Sequence, residues 1–233
     1  MISEIIMIFF WFILAYVIGS FPTAYLAGKW LRGMDIRRYG SGNVGGVNVW
    51  ESVAWWAIVP VGLVDVGKGV LAVGGARWLN LSPEVQAAAG LAAICGHNWS
   101  LFLRFSGGRG IATLVGVLLL LAPREVVVMA MALIGGKLMR EVALGCGLGA
   151  LALPLVALAL REPPLVVWAC VGMTIIVFAK RLISNPGTVV DVEDWKSVVR
   201  NRLLFDRDIS DKEAWVHRAP SENEQREMLE TEN

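Results

Sequence analysis

Charge, cysteine and nucleotide-binding signatures are all scarce in this sequence. Only 18% of its 233 residues are charged, against 56% hydrophobic, and that balance excludes the solvated surface of an ordinary soluble domain. The three cysteines, Cys95, Cys146 and Cys170, lie singly inside apolar runs. Neither a disulfide framework nor a zinc site is supported, and each is read as a small packing residue. The basic residues sit in short loops and form no continuous stripe, which argues against nucleic acid as a partner. No lysine followed by Ser or Thr ends a glycine loop, so nucleotide hydrolysis has no support. No internal repeat relates the two halves, which weakens a transporter built on two-fold symmetry.

What the chain has in quantity is apolar length. A bilayer core about 30 Å thick needs roughly 20 residues of helix. Residues 5–27, 52–76, 85–103 and 142–160 reach that length, and 165–179 is shorter but adequate. The first run has no basic stretch before it and no cleavage site after a short apolar core, so it is read as a retained span. Two further runs, 111–122 and 126–136, are joined by Pro123, Arg124 and Glu125, and are either two tilted spans or one re-entrant hairpin. The fold class is therefore an all-α, polytopic membrane protein with seven or five crossings. Both counts keep the same sidedness, because a hairpin returns to the side it left. Ten Lys/Arg fall in one set of short loops (Lys29, Arg32, Arg37, Arg38, Arg104, Arg109, Lys137, Arg140, Lys180 and Arg181), and three in the other (Arg77, Arg124 and Arg161). The positive-inside rule then puts the N-terminus outside and the C-terminus in the cytoplasm.

The net charge of +1 conceals a division: residues 1–190 hold 14 Lys/Arg and 8 Asp/Glu, residues 191–233 hold 7 and 12. We divide the chain into a membrane domain, 1–189, and a charged cytoplasmic tail, 190–233. Within the tail, residues 194–205 have the pattern of a helix, either lying on the inner leaflet or solvated. Beyond Pro220 the sequence is acidic, lacks aromatics and is expected to be disordered.

Two glycine-rich loops fall on the cytoplasmic side. One runs from Asp35 through Arg37, Arg38, Gly40, Ser41, Gly42, Asn43 and Gly45 to Asn48; the other contains Gly107, Gly108, Arg109 and Gly110 and runs into Ile111, Ala112 and Thr113. Backbone N–H groups without side chains can converge on a phosphate, a helix N-terminus adds its dipole, and arginine can hold two phosphate oxygens at once. Gly40, Gly42 and Gly45 satisfy a literal GxGxxG, but no strand and helix flank them as a dinucleotide site requires. The competing reading is a pair of tight turns. Asp65 and Lys68, three apart within a span, share a helical face and should pair or line a polar cavity, as structure or as site support. His97 lies about two turns inside the cytoplasmic end of its span, as a hydrogen-bonded structural residue or a catalyst.

In order along the chain, residues 19–25 (GSFPTAY), 35–45 (DIRRYGSGNVG) with Asn48, 65–69 (DVGKG), Gly96-His97 and 105–113 (FSGGRGIAT) form a pattern. It resembles the bacterial acyl-phosphate-dependent glycerol-3-phosphate acyltransferases of the PlsY type, over roughly residues 10–185. The resemblance implies an all-helical enzyme of the bacterial cytoplasmic membrane, in phospholipid biosynthesis. It would transfer a fatty acyl group from acyl phosphate to glycerol 3-phosphate, giving lysophosphatidic acid, with no metal, nucleotide or other cofactor. It implies Ser41, Asn43, Arg109 and His97 as catalytic candidates, and Arg37, Gly40, Gly42, Gly45, Asn48, Gly107, Gly108, Gly110 and Thr113 as phosphate-binding candidates. Membrane lipids are the surrounding partners, and the tail could engage a further one. The chain departs from the family pattern at Gly46-Val47, at Glu51 where a basic residue is usual, and at Arg109 where lysine is usual. Aligned on Arg181-Leu182, it has Ile175 and Phe178 in place of a His and an Asn, with Pro186-Gly187-Thr188 following. Two other classes remain open: a non-catalytic lipid- or phosphate-binding membrane scaffold, and a small anion permease suggested by Asp65, Lys68 and His97.

Overall fold

The computed structural model describes residues 2–183 and 194–219, and within them every regular element is helical. Helix α1 (Ile2–Ser20) stops because Pro22 carries no N–H to continue the ladder, and α2 (Thr23–Arg32) restarts immediately, closing at Gly33. The single first span expected from apolarity is thus two helices with a break at Phe21 and Pro22. The break frees two carbonyls: Ser20 O accepts the Ser100 hydroxyl at 2.5 Å, and Phe21 O accepts Lys68 Nζ at 2.6 Å.

A second correction concerns residues 52–76. The chain forms α3 (Gly46–Ser52), turns through a 3-10 segment at Trp55–Ala57, and only then enters α4 (Ile58–Trp78). The third expected span is also shorter. Helix α5 (Pro83–Asn98) ends before the apolar residues 99–103, which belong to a compact loop closed by Ser100 N–H to Ser106 O at 3.1 Å and Phe105 N–H to Ser100 O at 2.8 Å. Leu101 and Phe102, in a 3-10 turn of that loop, are exposed, so their apolarity marks outward contact and not a continuation of α5. His97 consequently lies in the last turn of α5, not two turns inside it.

Helices α6 (Ile111–Leu121) and α7 (Pro123–Leu138) meet at Ala122; α8 (Val142–Ala159) and α9 (Pro164–Leu182) complete the bundle. Four helical segments are long and apolar enough to cross a membrane: Ile2–Arg32, Trp55–Trp78, Val142–Ala159 and Pro164–Leu182. Phe9, Leu63, Ile134, Leu155 and Trp168 face outward, the surface a lipid-embedded bundle presents. Inside, α1 packs on α5 and α4 on α6 at backbone contact. A Cβ on Gly96 would overlap the Tyr16 carbonyl and one on Gly69 the Thr113 carbonyl, so small residues set these crossings.

The bundle has two distinct ends. At one, Arg77 donates to Leu120 O at 2.8 Å and Arg124 pairs with Glu162, which gathers the end of α4, the α6–α7 corner and the α8–α9 turn. At the other lie α2, α3, both glycine loops, α10 (Trp195–Phe205) and α11 (Lys212–Val216). Arginines fasten α10 to α8 and α9. Arg181 donates to Leu203 O at 2.7 Å and Arg202 to Leu182 O at 2.8 Å, each serving a helix C-terminal carbonyl that lacks a helical partner. Arg202 also pairs with buried Asp208 at 2.6 Å, and Arg207 with Glu141 at 3.1 Å. Residues 186–188 and those beyond Pro220 lie outside the described residues.

Candidate active site

The first glycine loop is built around two side chains. Asp35 accepts the Arg37 N–H at 3.1 Å and so opens the 3-10 turn Ile36–Arg38, then binds the Arg37 guanidinium at 2.6 Å. Burial pushes the Asp35 carboxyl up, but hydrogen bonds from Arg37 outweigh it and hold it below the usual carboxylate range. Arg37 also lies over Tyr25, 5.3 Å from the ring centre. Its Nε and Nη2 are thus engaged by Asp35 at the rim of the loop.

Asn48 is likewise consumed by the loop. It is buried, with Nδ2 at 3.2, 3.1 and 3.0 Å from the carbonyls of Ile36, Tyr39 and Asn43, and its Oδ1 accepts the Ser52 hydroxyl at 3.1 Å. Such an amide ties the loop's two arms together and has no donor left for a ligand. Between the arms, Gly42 closes a turn onto Tyr39 O at 3.0 Å with φ 68°, a conformation that disfavours any side chain. Ser41 Oγ accepts the Asn43 N–H at 3.4 Å, and Gly40 and Gly45 flank this turn, Gly45 as the N-cap of α3.

The second loop returns from α5 and lies directly against the first. Gly108 N–H donates to His97 O at 3.1 Å, and Val44 N–H donates to Gly107 O at 3.3 Å, stitching the two loops together. A Cβ on Gly108 would strike His97 Nε2 and lie 2.6 Å from Val44 O, so the loops can touch only because the side chain is absent. Gly110, at φ 71°, is the N-cap of α6. Thr113 is fully buried in that helix's first turn, its carbonyl against Gly69 of α4.

Beneath the junction is a small cavity, lined by Ser20, Phe21, Thr23, Asp65, Lys68, His97, Ser100 and Gly107 among others. Lys68 Nζ is held at 2.6 Å by both Asp65 Oδ1 and Phe21 O. Two charges inside the bundle are tolerated because they pair, and the broken helix supplies the extra acceptor. His97 Nδ1 is 3.7 Å from Asp65 Oδ1, too far for a hydrogen bond, and its Nε2 faces Gly108. Asp65, Lys68 and His97 thus form one group under the loops.

Arg109 points to the side of the junction where α9 and α10 end. Its Nη1 donates to Lys180 O at 2.7 Å, while its Nε lies 2.7 and 2.8 Å from the two carboxylate oxygens of Asp206, just past α10. Asn43 Nδ2, from the first loop, reaches Oδ2 of the same carboxylate at 3.3 Å. Both Arg109 and Asp206 are largely buried, and Lys180 and Arg181 lie within electrostatic range of Asp206. The structure therefore brings together Asn43, Arg109, His97, Asp65, Lys68 and the three glycines of the second loop, and keeps Arg37 and Asn48 as loop framework. Sequence reasoning missed Asp206, which no spacing relates to the loops, and Lys180, which it counted only as a loop charge at the end of the last apolar run. Of the two family positions filled differently, Ile175 is exposed, and Phe178 lies under the Arg181 guanidinium at 5.5 Å. Glu51 lies in the field of Lys212 and His217 from the tail.

Fold and site together define a multi-pass integral membrane protein whose two glycine loops converge on one anionic oxygen. Residues 9–187 match the family model for glycerol-3-phosphate acyltransferase. A glycerol-3-phosphate acyltransferase of Dehalococcoides mccartyi is 37% identical over 209 residues, covering 87% of this chain and 90% of that one. A second, from another strain, is 37% identical over 218 residues, covering 90% and 94%. The crystal structure of PlsY, an integral membrane glycerol 3-phosphate acyltransferase, in its glycerol 3-phosphate form superposes with a TM-score of 0.69 at 28% identity, over 75% of this chain and 88% of that one. Its lysophosphatidic acid form gives 0.67 at 27% identity. The chain belongs to the glycerol-3-phosphate acyltransferase family, as a membrane acyltransferase. Helices α10 and α11 lie beyond the residues that match the family model.

Proposed function

We propose that this protein transfers a fatty acyl group from acyl phosphate to glycerol 3-phosphate at the cytoplasmic face of a bacterial cell membrane. One observation carries the reading: Asn43 from the first loop and Arg109 from the second converge on a single anionic oxygen, at 3.3 and 2.8 Å. Donors from two glycine loops directed at one oxyanion suit a phosphate ester at the lipid boundary.

An acyl phosphate is already an activated mixed anhydride. The acceptor hydroxyl attacks its carbonyl carbon, a new C–O bond forms, the bond to the phosphate oxygen breaks, and the hydroxyl proton leaves with inorganic phosphate. The protein's task is to hold both phosphates and to stabilise charge as it develops. Asn43, Arg109 and the second loop's Gly107, Gly108 and Gly110 serve the donor's phosphate, and Ser41 with the loop around Gly40, Gly42 and Gly45 serves the acceptor's. Asp65, Lys68 and His97 support the second loop from below. Among the described residues Ser41 Oγ is bonded to the Asn43 N–H and to no side-chain base, so Ser41 positions substrate and is not a nucleophile.

The reading includes seven crossings, with residues 1–189 as the membrane domain and 190–233 as a cytoplasmic tail. The contact of the α6–α7 corner with the α4 and α8–α9 end supports two crossings there. Helix α6 alone is only about 16 Å long, but Gly107, Gly108 and Gly110, all buried, precede it, and irregular backbone at membrane depth is tolerated when protein covers it. The ten-to-three distribution of basic residues supports an outside N-terminus.

The deciding assay is purified protein in detergent with palmitoyl phosphate and glycerol 3-phosphate. The proposal expects inorganic phosphate release that requires the acceptor, with lysophosphatidic acid as product. Donor binding without turnover would favour a scaffold, and anion flux in proteoliposomes a permease.

A further inference from the structure

Asp206 stands where a substrate's anionic oxygen is expected. Its carboxylate accepts from Asn43 of one loop and from Arg109 of the other, with Lys180 and Arg181 in electrostatic range. The contact is not an accident of a loose terminus. Asp206 is the C-cap of α10 at φ 55°, an orientation that aspartate tolerates better than most residues. The helix before it is fastened by Arg181 to Leu203 O, and the segment after it by Arg207 to Glu141. Further on, Arg218 O accepts the Gly40 N–H at 2.8 Å, so the segment crosses the first loop as well.

A carboxylate and a phosphate cannot both hold the same guanidinium edge in a largely buried site. Like charges at contact repel strongly where water is excluded, and of the Arg109 donors Nε is held by the carboxylate and Nη1 by Lys180 O. From this geometry we infer that residues 194–219 form an autoinhibitory strap, with Asp206 as an intramolecular stand-in for the substrate phosphate that must leave before acyl phosphate binds. This rests on the acyltransferase reading of the site and adds its regulation. The apparent affinity for the donor is then the intrinsic affinity reduced by the fraction of molecules with the strap displaced.

Two measurements on the full-length protein test it. The first is hydrogen–deuterium exchange of α10, with and without saturating inorganic phosphate as the probe, and needs no turnover. The strap predicts that phosphate accelerates exchange across residues 195–205; unchanged or slower exchange overturns it. The second is turnover of Asp206→Asn, which removes the charge while keeping the side-chain shape and the left-handed backbone. Losing one charge-assisted contact should lower the KM for palmitoyl phosphate on the order of tenfold, with kcat held or raised. A raised KM or a fallen kcat would instead make Asp206 a positioning group for Arg109, and overturn the strap. If neither protein turns over, the acyltransferase reading fails and the exchange experiment alone decides whether an anion displaces the strap.

Discussion

Gly108→Ala tests how the two loops make one site. The new Cβ would lie 2.6 Å from Val44 O, about 0.8 Å inside the 3.4 Å at which ordinary contact begins, and would also strike His97 Nε2. The histidine ring can rotate, but Val44 O belongs to backbone whose N–H is already bonded to Gly107. Relief therefore comes from parting the loops by most of an ångström. Overpacking of this kind costs about 1–3 kcal/mol of stability, and a 1 Å misplacement of catalytic groups costs roughly 100-fold in rate. The expected result is a folded protein, melting a few degrees lower in detergent, with kcat/KM for palmitoyl phosphate down roughly 100-fold. Gly135→Ala in α7, which meets nothing within 4 Å, is the control and should keep full activity. Undiminished turnover in a folded Gly108→Ala protein would refute the claim that contact between the loops builds the site.

The buried pair and the loop cap give two further predictions. Lys68→Met leaves Asp65 unpaired beside His97 and should destabilise the bundle by about 3–5 kcal/mol; adding Asp65→Leu should restore most of the loss, both read by thermal unfolding in detergent. Asp35 is held below the ordinary carboxylate range, so its contribution is fully present above the unfolded value near pH 3.9 and is lost as pH falls through the lower folded value. Asp35→Asn should therefore cost about 1 kcal/mol at neutral pH, and the gap from wild type should close as the pH is lowered below about 4. A gap that persists unchanged in acid would remove the Arg37 clamp as its cause.

Much of the architecture could be read from hydropathy because lipid imposes apolarity on whole helices. The same rule misplaced three boundaries, since apolar residues outside helices face lipid too. Phe21 and Pro22 interrupt the first span, and residues 99–103 follow the third without continuing α5, turning instead through a short 3-10 segment at Leu101–Leu103. The two loops were legible as anion-binding candidates because glycine and arginine density needs no tertiary information. Their mutual contact was not, as nothing local relates Val44 to Gly107. Arg37 and Asn48 entered as phosphate-binding candidates through the resemblance; in the structure the first is bonded to Asp35 and the second to the loop carbonyls, partners that residue type alone does not reveal. Asp206 lies 97 residues beyond Arg109, and only packing on α8 and α9 could bring it into range.

The central claim is that Asn43, Arg109 and the second glycine loop grip the donor's phosphate. Equilibrium binding of palmitoyl phosphate and of palmitate to wild type and to folded Arg109→Ala tests it most directly. Loss of a charge-assisted contact of about 1.5–3 kcal/mol should weaken palmitoyl phosphate binding by roughly 10- to 100-fold and leave palmitate unchanged. Equal affinity of both proteins for palmitoyl phosphate would contradict the account.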